Sequence, residues 1–380
     1  MIAPPSPALQ RPPPAALPPG VARVMICDDS VVIRGALTRM LEADPLVRVV
    51  ARAANGQAAL DELRRLAQAR QAVDVVVLDI EMPVMDGMTA LPLLLRADPG
   101  LRVIMASTLT TRGADIAMQA LRLGAADYVP KPSTQAINDD SFRREITAKV
   151  RGLARLRQRT GLAQPGGAPP LALRPAARLA PALLAVGSST GGPQALFTLV
   201  QALGPRLPVP VVLTQHMPAT FTPILAEHIT RLGGLPCAEA RDREALAPGR
   251  IYLAPGDRHL LVEGSAATGL RARLTEDRPE NFCRPSVDPM LRSAAVACAG
   301  RVLVVMLTGM GHDGLAGTRT VVAAGGAAVA QDEVTSVVWG MPGAIAQAGL
   351  CQHVLPLPAI GAKVLSLLAQ APTPPARAGA

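Results

Sequence analysis

Aromatic residues are scarce in this chain of 380 residues: Phe, Tyr and Trp together make up 2% of it. Proteins that bind single-stranded nucleic acids commonly stack bases on aromatic side chains, so this scarcity argues against such a platform. The formal net charge of +9 could attract an acidic partner, but the basic residues are mostly Arg scattered through an Ala-, Pro- and Leu-rich chain. We therefore expect no nucleic-acid partner.

Cysteines are few, and long apolar runs are missing. The five cysteines are odd in number and none is spaced C-x-x-C, which argues against a disulfide framework and a structural zinc site. No run of about 18 uncharged apolar residues is present, and the proline-rich N-terminus lacks the layout of a signal peptide. We expect a cytoplasmic protein with no direct membrane insertion.

The first half of the chain alternates short apolar runs with amphipathic helical patterns, which predicts βα units and a parallel sheet. The predicted strands are 21–27, 47–51, 73–78, 101–106 and 126–129. The predicted helices are 31–42, 56–70, 88–94, 114–123 and 142–157. We interpret this region as a five-unit α/β domain.

Polar residues follow the predicted strands, at the sheet edge where α/β proteins bind ligands. They are Asp28, Asp29, Asp79, Ser107 and Lys131. Clustered carboxylates repel one another unless a cation is bound, and their oxygens suit Mg²⁺. A carboxylate beside Mg²⁺ can attack a phosphoryl donor while the lysine neutralises charge. Taken singly, the first two acids could instead cap a helix and the lysine could be a solvated loop charge.

The second half begins with an apolar run that ends in Gly-Ser-Ser-Thr-Gly-Gly, followed by a helical pattern that Pro193 opens. This predicts a strand, a tight turn and a helix. Ser189 lies between Gly187 and Gly191 in the spacing G-x-S-x-G, which can expose a nucleophilic hydroxyl at the top of a sheet. The alternative is a turn whose hydroxyls only cap the next helix.

His216 ends the next predicted strand, so its side chain should project from the same sheet edge as that of Ser189. Asp313 lies in a glycine-rich turn after a later strand. That turn also fits the dinucleotide pattern G-x-G-x-x-G at 309–314, with Asp332 following about 20 residues later. A carboxylate there would repel a pyrophosphate, so we interpret Asp313 as the partner that orients His216. The sequence thus predicts a Ser-His-Asp triad, with the backbone N–H of Met310 among the oxyanion donors.

Four motifs in the first half resemble the receiver domain of bacterial response regulators. They are CDDS at 27–30, VVLDIEMPVMDG at 76–87, MAST at 105–108 and YVPKP at 128–132. The resemblance implies a flavodoxin-like (βα)5 fold. It also implies Asp79 as phosphoacceptor, Asp28, Asp29 and Asp79 as Mg²⁺ ligands, Ser107 and Tyr128 as switch residues, and Lys131 as the phosphate contact.

Six motifs in the second half resemble the chemotaxis protein-glutamate methylesterase family, CheB. They are VGSSTGG at 186–192, TQHMP at 214–218, YLAPGDRH at 252–259, RPSVD at 284–288, LTGMGHDG at 307–314 and WGMPGAI at 339–345. The family's triad falls on Ser189, His216 and Asp313, the residues that the spacing itself selects. The fold expected here is a doubly wound α/β domain with a mainly parallel sheet.

The resemblance also implies an activity and its control. We expect hydrolysis of glutamate methyl esters on methyl-accepting chemotaxis receptors, glutamine deamidation as a side activity, and no cofactor for the esterase chemistry. A sensor histidine kinase of the CheA type would be the phosphodonor. The unmodified receiver would cover the esterase site until Asp79 is phosphorylated, and we expect the protein to be a monomer.

These observations predict the domain boundaries. We expect a disordered proline-rich extension at 1–20, a receiver domain at 21–140, a linker at 141–181, a methylesterase catalytic domain at 182–370 and a disordered tail at 371–380. Within the catalytic domain we interpret His259 as a surface residue and Ser286 as a helix cap. A DNA-binding response regulator is the remaining alternative, but the alternating strands and helices after 182 do not suit a short helix-turn-helix domain.

Overall fold

A computed structural model describes residues 18, 20–107, 110–131, 140–159, 171–175, 180–265 and 268–369. Nearly all of the predicted extension 1–20, and the predicted tail 371–380, lie outside the described residues. Within the described ranges, no helix has both the length and the apolar character needed to cross a membrane.

The N-terminal domain is a parallel five-stranded sheet in the order β2-β1-β3-β4-β5, the order of flavodoxin-like folds. Its strands are β1 (Ala22–Cys27), β2 (Val47–Ala53), β3 (Val75–Asp79), β4 (Arg102–Ser107) and β5 (Asp127–Pro130). Its helices are α1 (Val31–Glu42), α2 (Gly56–Gln68), α3 (Gly87–Ala97), α4 (Thr111–Arg122) and α5 (Asp140–Arg159). The predicted (βα)5 architecture is confirmed.

The C-terminal domain is a doubly wound parallel sheet of seven strands, in the order β14-β13-β12-β6-β7-β9-β8, with a separate antiparallel hairpin. The strands are β6 (Leu183–Ser188), β7 (Val211–Gln215), β8 (Cys237–Glu239), β9 (Ile251–Leu253), β10 (His259–Ser265), β11 (Gly269–Thr275), β12 (Val302–Met306), β13 (Ala327–Gln331) and β14 (His353–Leu355). The helices are α6 (Gly192–Leu203), α7 (Thr222–Gly233), α8 (Val287–Ala297), α9 (Leu315–Ala323), α10 (Met341–Gln347) and α11 (Leu357–Ala369). This confirms the predicted fold class.

Central strands of both sheets are buried along their whole length because helices cover both faces. All five residues of β3 are buried, and so are all five of β12. The alternation of buried and exposed residues appears instead in β2, which lies at an edge of its sheet. Burial on both faces therefore explains the continuous apolar runs of the sequence, and it leaves the carboxyl ends of the strands free to carry polar groups.

Helix α5 packs on the receiver sheet, although the sequence placed most of it in the linker 141–181. Its apolar face, which includes Ile146 and Val150, is buried against β1 and α1. At its far end Gln158 donates a hydrogen bond to the buried carboxylate of Asp74 (3.1 Å). Arg23 binds the same carboxylate through two side-chain nitrogens (2.7 and 2.9 Å). We therefore propose that the connecting segment begins after Arg159.

Substitution of Asp74 by Asn tests this anchoring. The variant leaves the Arg23 guanidinium without its buried counter-charge, so we expect its unfolding free energy to fall by about 2–3 kcal/mol in urea titration. The control is Asp61→Asn, which removes an exposed ion pair with Arg64 and should leave the midpoint unchanged. Equal midpoints for the two variants would contradict the role assigned to Asp74.

Candidate active site

The predicted nucleophile turn has the expected form. Strand β6 ends at Ser188, and Ser189 follows with its N–H donating to the carbonyl of Thr308 (3.0 Å). Helix α6 then begins at Gly192. The intervening Gly191 has φ +73°, and a Cβ there would lie 2.5 Å from a methyl group of Val337. Because this position needs a left-handed backbone and has no room for a side chain, glycine is required.

A buried amide joins this turn to the next strand. Gln215, the last residue of β7, accepts a hydrogen bond from the Ser188 hydroxyl (2.7 Å) and donates to the carbonyls of Ser189 (2.9 Å) and His216 (3.0 Å). A Cβ at Gly192 would lie 2.0 Å from its Oε1. Sequence reasoning missed Gln215; its one signal was a polar residue at the end of an apolar strand.

Strand register brings the predicted triad together. Ser188 pairs with Gln215 across β6 and β7, so Ser189 and His216 leave neighbouring strands side by side. Asp313 lies in the loop after β12, the neighbour of β6 on its other side. Its Oδ2 is 2.7 Å from Nε2 of the His216 ring. Among the described residues, the Ser189 hydroxyl makes no hydrogen bond to that ring, and such contacts commonly tighten only when substrate binds.

The Asp313 carboxylate is buried and is surrounded by hydrogen-bond donors at the start of helix α8. Its Oδ2 also accepts from the N–H of Val287 (2.6 Å). Its Oδ1 accepts from the Ser286 hydroxyl (2.7 Å), the Asn281 amide (2.8 Å) and the N–H groups of Gly314 (2.9 Å) and Asp288 (3.1 Å). Burial alone would raise the pKa of Asp313, but His216 and these donors hold that pKa well below its usual range. The carboxylate is therefore fixed as an anion.

His216 is held between Asp313 and a cysteine. Burial alone would lower the pKa of His216, but the carboxylate of Asp313 outweighs it and raises that pKa above the usual 6.5. Nδ1 of the ring lies 3.4 Å from Sγ of Cys283. Nε2 thus faces Asp313, and Nδ1 faces the Cys283 thiol.

Two backbone N–H groups near Ser189 are free to hold an oxyanion. In the part of the chain that the structure describes, the N–H groups of Thr190 and Met310 have no acceptor. Met310 is 38% exposed, in the turn beside Asp313. Thr190 follows the candidate nucleophile directly, the position that supplies an oxyanion donor in G-x-S-x-G turns.

The segment before α8 differs from what the sequence predicted. Ser286 is the N-cap of α8 as expected, but its side chain makes no capping bond and bonds Asp313 instead. His259 is buried, so its interpretation as a surface residue was wrong. Its Nδ1 accepts the Ser286 N–H (3.1 Å) and its Nε2 lies 3.2 Å from the carbonyl of Arg278. The ring thus supports the chain that surrounds Asp313.

The glycine pattern at 309–314 does not form a dinucleotide site. The Asp313 carboxylate takes up the N–H groups of Gly314 and of the start of α8, which a pyrophosphate would need. Asp332, which a ribose would need, bonds the N–H and hydroxyl of Thr335 instead. Its carboxylate therefore serves a local turn.

At the edge of the receiver sheet, Asp28, Asp29 and Asp79 each offer a carboxylate oxygen within 4.8 Å of the others. Lys131 Nζ is 2.7 Å from Asp79 and 3.9 Å from Asp28. Burial raises the pKa of Asp79 to about 6, although Lys131 opposes the shift. The hydroxyl of Ser107 is also buried at this edge and donates to the carbonyl of Gly113 (2.7 Å). The sequence-predicted receiver residues therefore do meet.

This cluster fits a magnesium ion. Asp28 Oδ2 and Asp79 Oδ2 are buried without a hydrogen-bond partner among the described residues. Buried carboxylate oxygens without partners are costly, and a hard divalent cation with oxygen ligands would satisfy them. Asp29, which is exposed, could provide the third ligand.

The receiver contacts the nucleophile turn directly. The buried carboxylate of Asp127, on β5, accepts the N–H of Gly191 (3.0 Å). Beside it the Tyr128 ring stacks on Phe221 of the catalytic domain, with centroids 4.7 Å apart. Gln194, on α6, donates to the receiver carbonyls of Leu121 and Ala125. The candidate switch aromatic Tyr128 therefore lies in the contact between the domains.

Comparison with known proteins agrees with both halves of this description. The response regulator receiver domain family matches residues 24–139, and the CheB methylesterase family matches residues 184–364. The crystal structure of the Thermotoga maritima CheB methylesterase catalytic domain is 37% identical, covering 50% of this chain and 100% of that one, with a TM-score of 0.48.

Two curated relatives match nearly the whole chain. A protein-glutamate methylesterase/protein-glutamine glutaminase of Rhodospirillum centenum is 51% identical over 92% of this chain and 94% of the relative. The protein of that name from Azospirillum brasilense is 52% identical over 92% of this chain and 95% of the relative. Similarity at this level, across a receiver and a catalytic domain joined in the same order, shows that the chain belongs to the CheB methylesterase family.

Proposed function

We propose that this protein is a phosphorylation-activated hydrolase that demethylates glutamate methyl esters, and deamidates glutamines, on methyl-accepting chemotaxis receptors. The observation that carries the proposal is the 2.7 Å contact between His216 and the buried Asp313 carboxylate, beside Ser189 on the neighbouring strand. The proteins that it resembles are named for the same two activities. We further propose that it acts as a cytoplasmic monomer without nucleic-acid partners or membrane insertion.

The proposed reaction uses Nδ1 of His216, the ring nitrogen that faces away from Asp313 and lies near Sγ of Cys283. Nδ1 takes the proton of the Ser189 hydroxyl while the serine oxygen forms a bond to the side-chain carbonyl carbon of the methylated glutamate. The C–OCH₃ bond then breaks, and methanol leaves with the proton from Nδ1. Water then attacks the acyl carbon, and one of its protons passes through Nδ1 to Ser189 as the bond between the acyl carbon and the serine oxygen breaks. The released glutamic acid loses the other proton to solvent and becomes the carboxylate. For glutamine, ammonia leaves in place of methanol.

Two features stabilise the charges that develop in this reaction. The N–H groups of Thr190 and Met310 would bind the oxyanion, a contribution of about 10²–10³ in rate for one donor. The Asp313 anion would stabilise the imidazolium of His216 and fix the ring so that Nδ1 faces the serine. The esterase chemistry needs no cofactor in this account.

In the receiver, Asp79 is the proposed phosphoacceptor. The proposed phosphodonor is a sensor histidine kinase of the CheA type. Asp28, Asp29 and Asp79 would hold Mg²⁺, which when bound neutralises charge on a phosphoryl group. Lys131 contacts the Asp79 carboxylate, and in this proposal it would bind the phosphate. Ser107 ends the adjacent strand and would act as the switch hydroxyl.

Strand β5 provides a physical route from phosphorylation to the esterase site. Lys131 follows its last residue, and Asp127, which binds the nucleophile turn, is its first. A shift of Lys131 toward a phosphoryl group would therefore move the strand that carries Asp127 and Tyr128. We propose that this shift loosens the contact with Gly191 and Phe221 and uncovers the triad.

Removal of the nucleophile tests the mechanism. Ser189→Ala should reduce methanol release from methylated receptor by at least about a thousandfold, because it removes the hydroxyl that forms the acyl-enzyme. Phosphorylation of Asp79 by a radiolabelled phosphodonor should be unchanged, which serves as the folding control. Methanol release equal to that of the unaltered protein would exclude the serine mechanism.

The pH dependence tests the role of Asp313. Only neutral His216 can accept a proton, and its pKa is raised, so the rate of methanol release should rise with pH with an apparent pKa above 6.5. In Asp313→Asn this apparent pKa should move down toward 6.5, and the maximal rate should fall by about 10²-fold or more. An unchanged apparent pKa in a variant with a normal thermal midpoint would contradict the assignment.

Contacts from both domains test the gating. Asp127→Ala removes the acceptor for Gly191, and Gln194→Ala removes the amide that binds the receiver. Each should raise methylesterase activity without phosphodonor by about fivefold or more. Asp79→Asn should stay at the basal rate when phosphodonor and Mg²⁺ are added.

The matched control is Gln57→Ala, since Gln57 lies on α2 and, within the described part of the chain, its side-chain hydrogen bond is to Asp61. It should leave both the basal and the stimulated rates unchanged. Basal rates that do not rise in either interface variant, or stimulation that persists in Asp79→Asn, would refute the gating account.

A further inference from the structure

A tight turn lies beside the triad, between the β10–β11 hairpin and helix α8. Glu280 and Cys283 exchange both backbone hydrogen bonds (2.9 and 3.1 Å). The two residues between them, Asn281 and Phe282, have φ of +53° and +62°. Positive φ at both central positions is characteristic of a type I′ turn, which strongly favours Asn followed by Gly.

Phe282 is an unfavourable residue for its position in this turn. A bulky side chain at positive φ is strained. Packing does not offset that strain, because the ring is fully exposed, at 103% of its reference area. The ring also stays exposed while the receiver is docked on the catalytic domain. An exposed aromatic ring in a strained backbone, in a chain with so few aromatic residues, indicates a role outside folding.

The turn is rigid and is attached to both candidate catalytic partners. Asn281 donates to Asp313 (2.8 Å), and Cys283 lies 3.4 Å from His216. Two hydrogen bonds from Arg292 hold Glu280 (2.6 and 2.7 Å). The backbone of Phe282 is therefore held at the rim of the active site, one residue away from groups that touch His216 and Asp313, and its ring projects into solvent.

We propose that Phe282 is a docking residue that binds an apolar side chain of the substrate protein next to its methylated glutamate. This inference rests on the proposed function: the reacting ester belongs to another protein, so the surface around His216 must face that protein. Rigid exposed aromatic side chains are the usual anchors of such contacts. Phe282 would thus determine which methylated side chains the enzyme selects, and it would take no part in the chemistry.

The test compares two substrates with the full-length protein, activated by acetyl phosphate and Mg²⁺. One is methylated receptor, and the other is a short glycine-flanked peptide carrying a glutamate γ-methyl ester. Phe282→Ala should raise KM for the receptor by about tenfold, the loss of one good apolar contact, with kcat nearly unchanged. Hydrolysis of the peptide should not change. The matched control is Val296→Ala, which alters an exposed apolar residue of α8 (80% exposed) and should change neither substrate.

A second variant separates docking from folding. Phe282→Gly places the favoured residue in the turn, so its thermal midpoint should equal or exceed that of the unaltered protein, while KM for the receptor rises as in Phe282→Ala. An unchanged receptor KM in both variants would overturn the proposal. Equal losses of activity on receptor and peptide would also overturn it, because they would mean that the ring only positions the triad. A dimer of the unaltered protein that dissociates on substitution of Phe282 would overturn it as well.

These outcomes are distinguishable from a failure of the proposed function. If the unaltered protein released no methanol from receptor, or if Ser189→Ala released as much, the esterase assignment itself would be wrong. If both behave as expected and receptor KM is insensitive to residue 282, the esterase assignment stands and only the docking role fails.

Discussion

The arrangement of the active site depends on one buried anion. The Asp313 carboxylate accepts hydrogen bonds from the start of α8, from the turn at 281 and from His216, so it joins segments that are far apart in sequence. Burying a charge is tolerable only when donors replace the lost water. The same donors that stabilise the anion therefore fix the geometry of the base, and orientation of His216 follows from satisfying Asp313.

The contact between the domains also contains a buried carboxylate whose charge is balanced by a partner. Asp127 is buried against the catalytic domain, and its charge is balanced by Lys149, which also bonds Glu145 and the carbonyl of Tyr128. In this arrangement the nucleophile turn gives one N–H to a carboxylate of the neighbouring domain. The turn between Ser189 and the start of α6 is thus both the candidate nucleophile turn and a contact between the two domains.

Sequence reasoning succeeded where periodicity and strand ends carry the information. The strands, their parallel direction and the location of Ser189, His216 and Asp313 at one sheet edge follow from apolar runs that end in polar residues. Gln215, Asn281 and Cys283 were missed, and His259 was misplaced. The contacts of Asn281, Cys283 and His259 depend on the irregular chain between β11 and α8, and those of Gln215 depend on its single buried amide. No repeating sequence pattern predicts either kind of contact. The helix α5 was predicted at 142–157, but its packing on the receiver was missed because its many Arg residues resemble those of a linker.

The composition of the interdomain contact has a consequence for its strength. It combines a stacked ring pair with charged groups, an amide and backbone carbonyls. Apolar groups are buried there as well, because Val337 of the catalytic domain packs into the same apolar cluster as Ile146 and Leu153 of α5. Separation of the domains would therefore expose both apolar surface and buried charges to water, and the first of these changes always costs free energy. The phosphoryl group proposed at Asp79 would have to offset that cost for the contact to open.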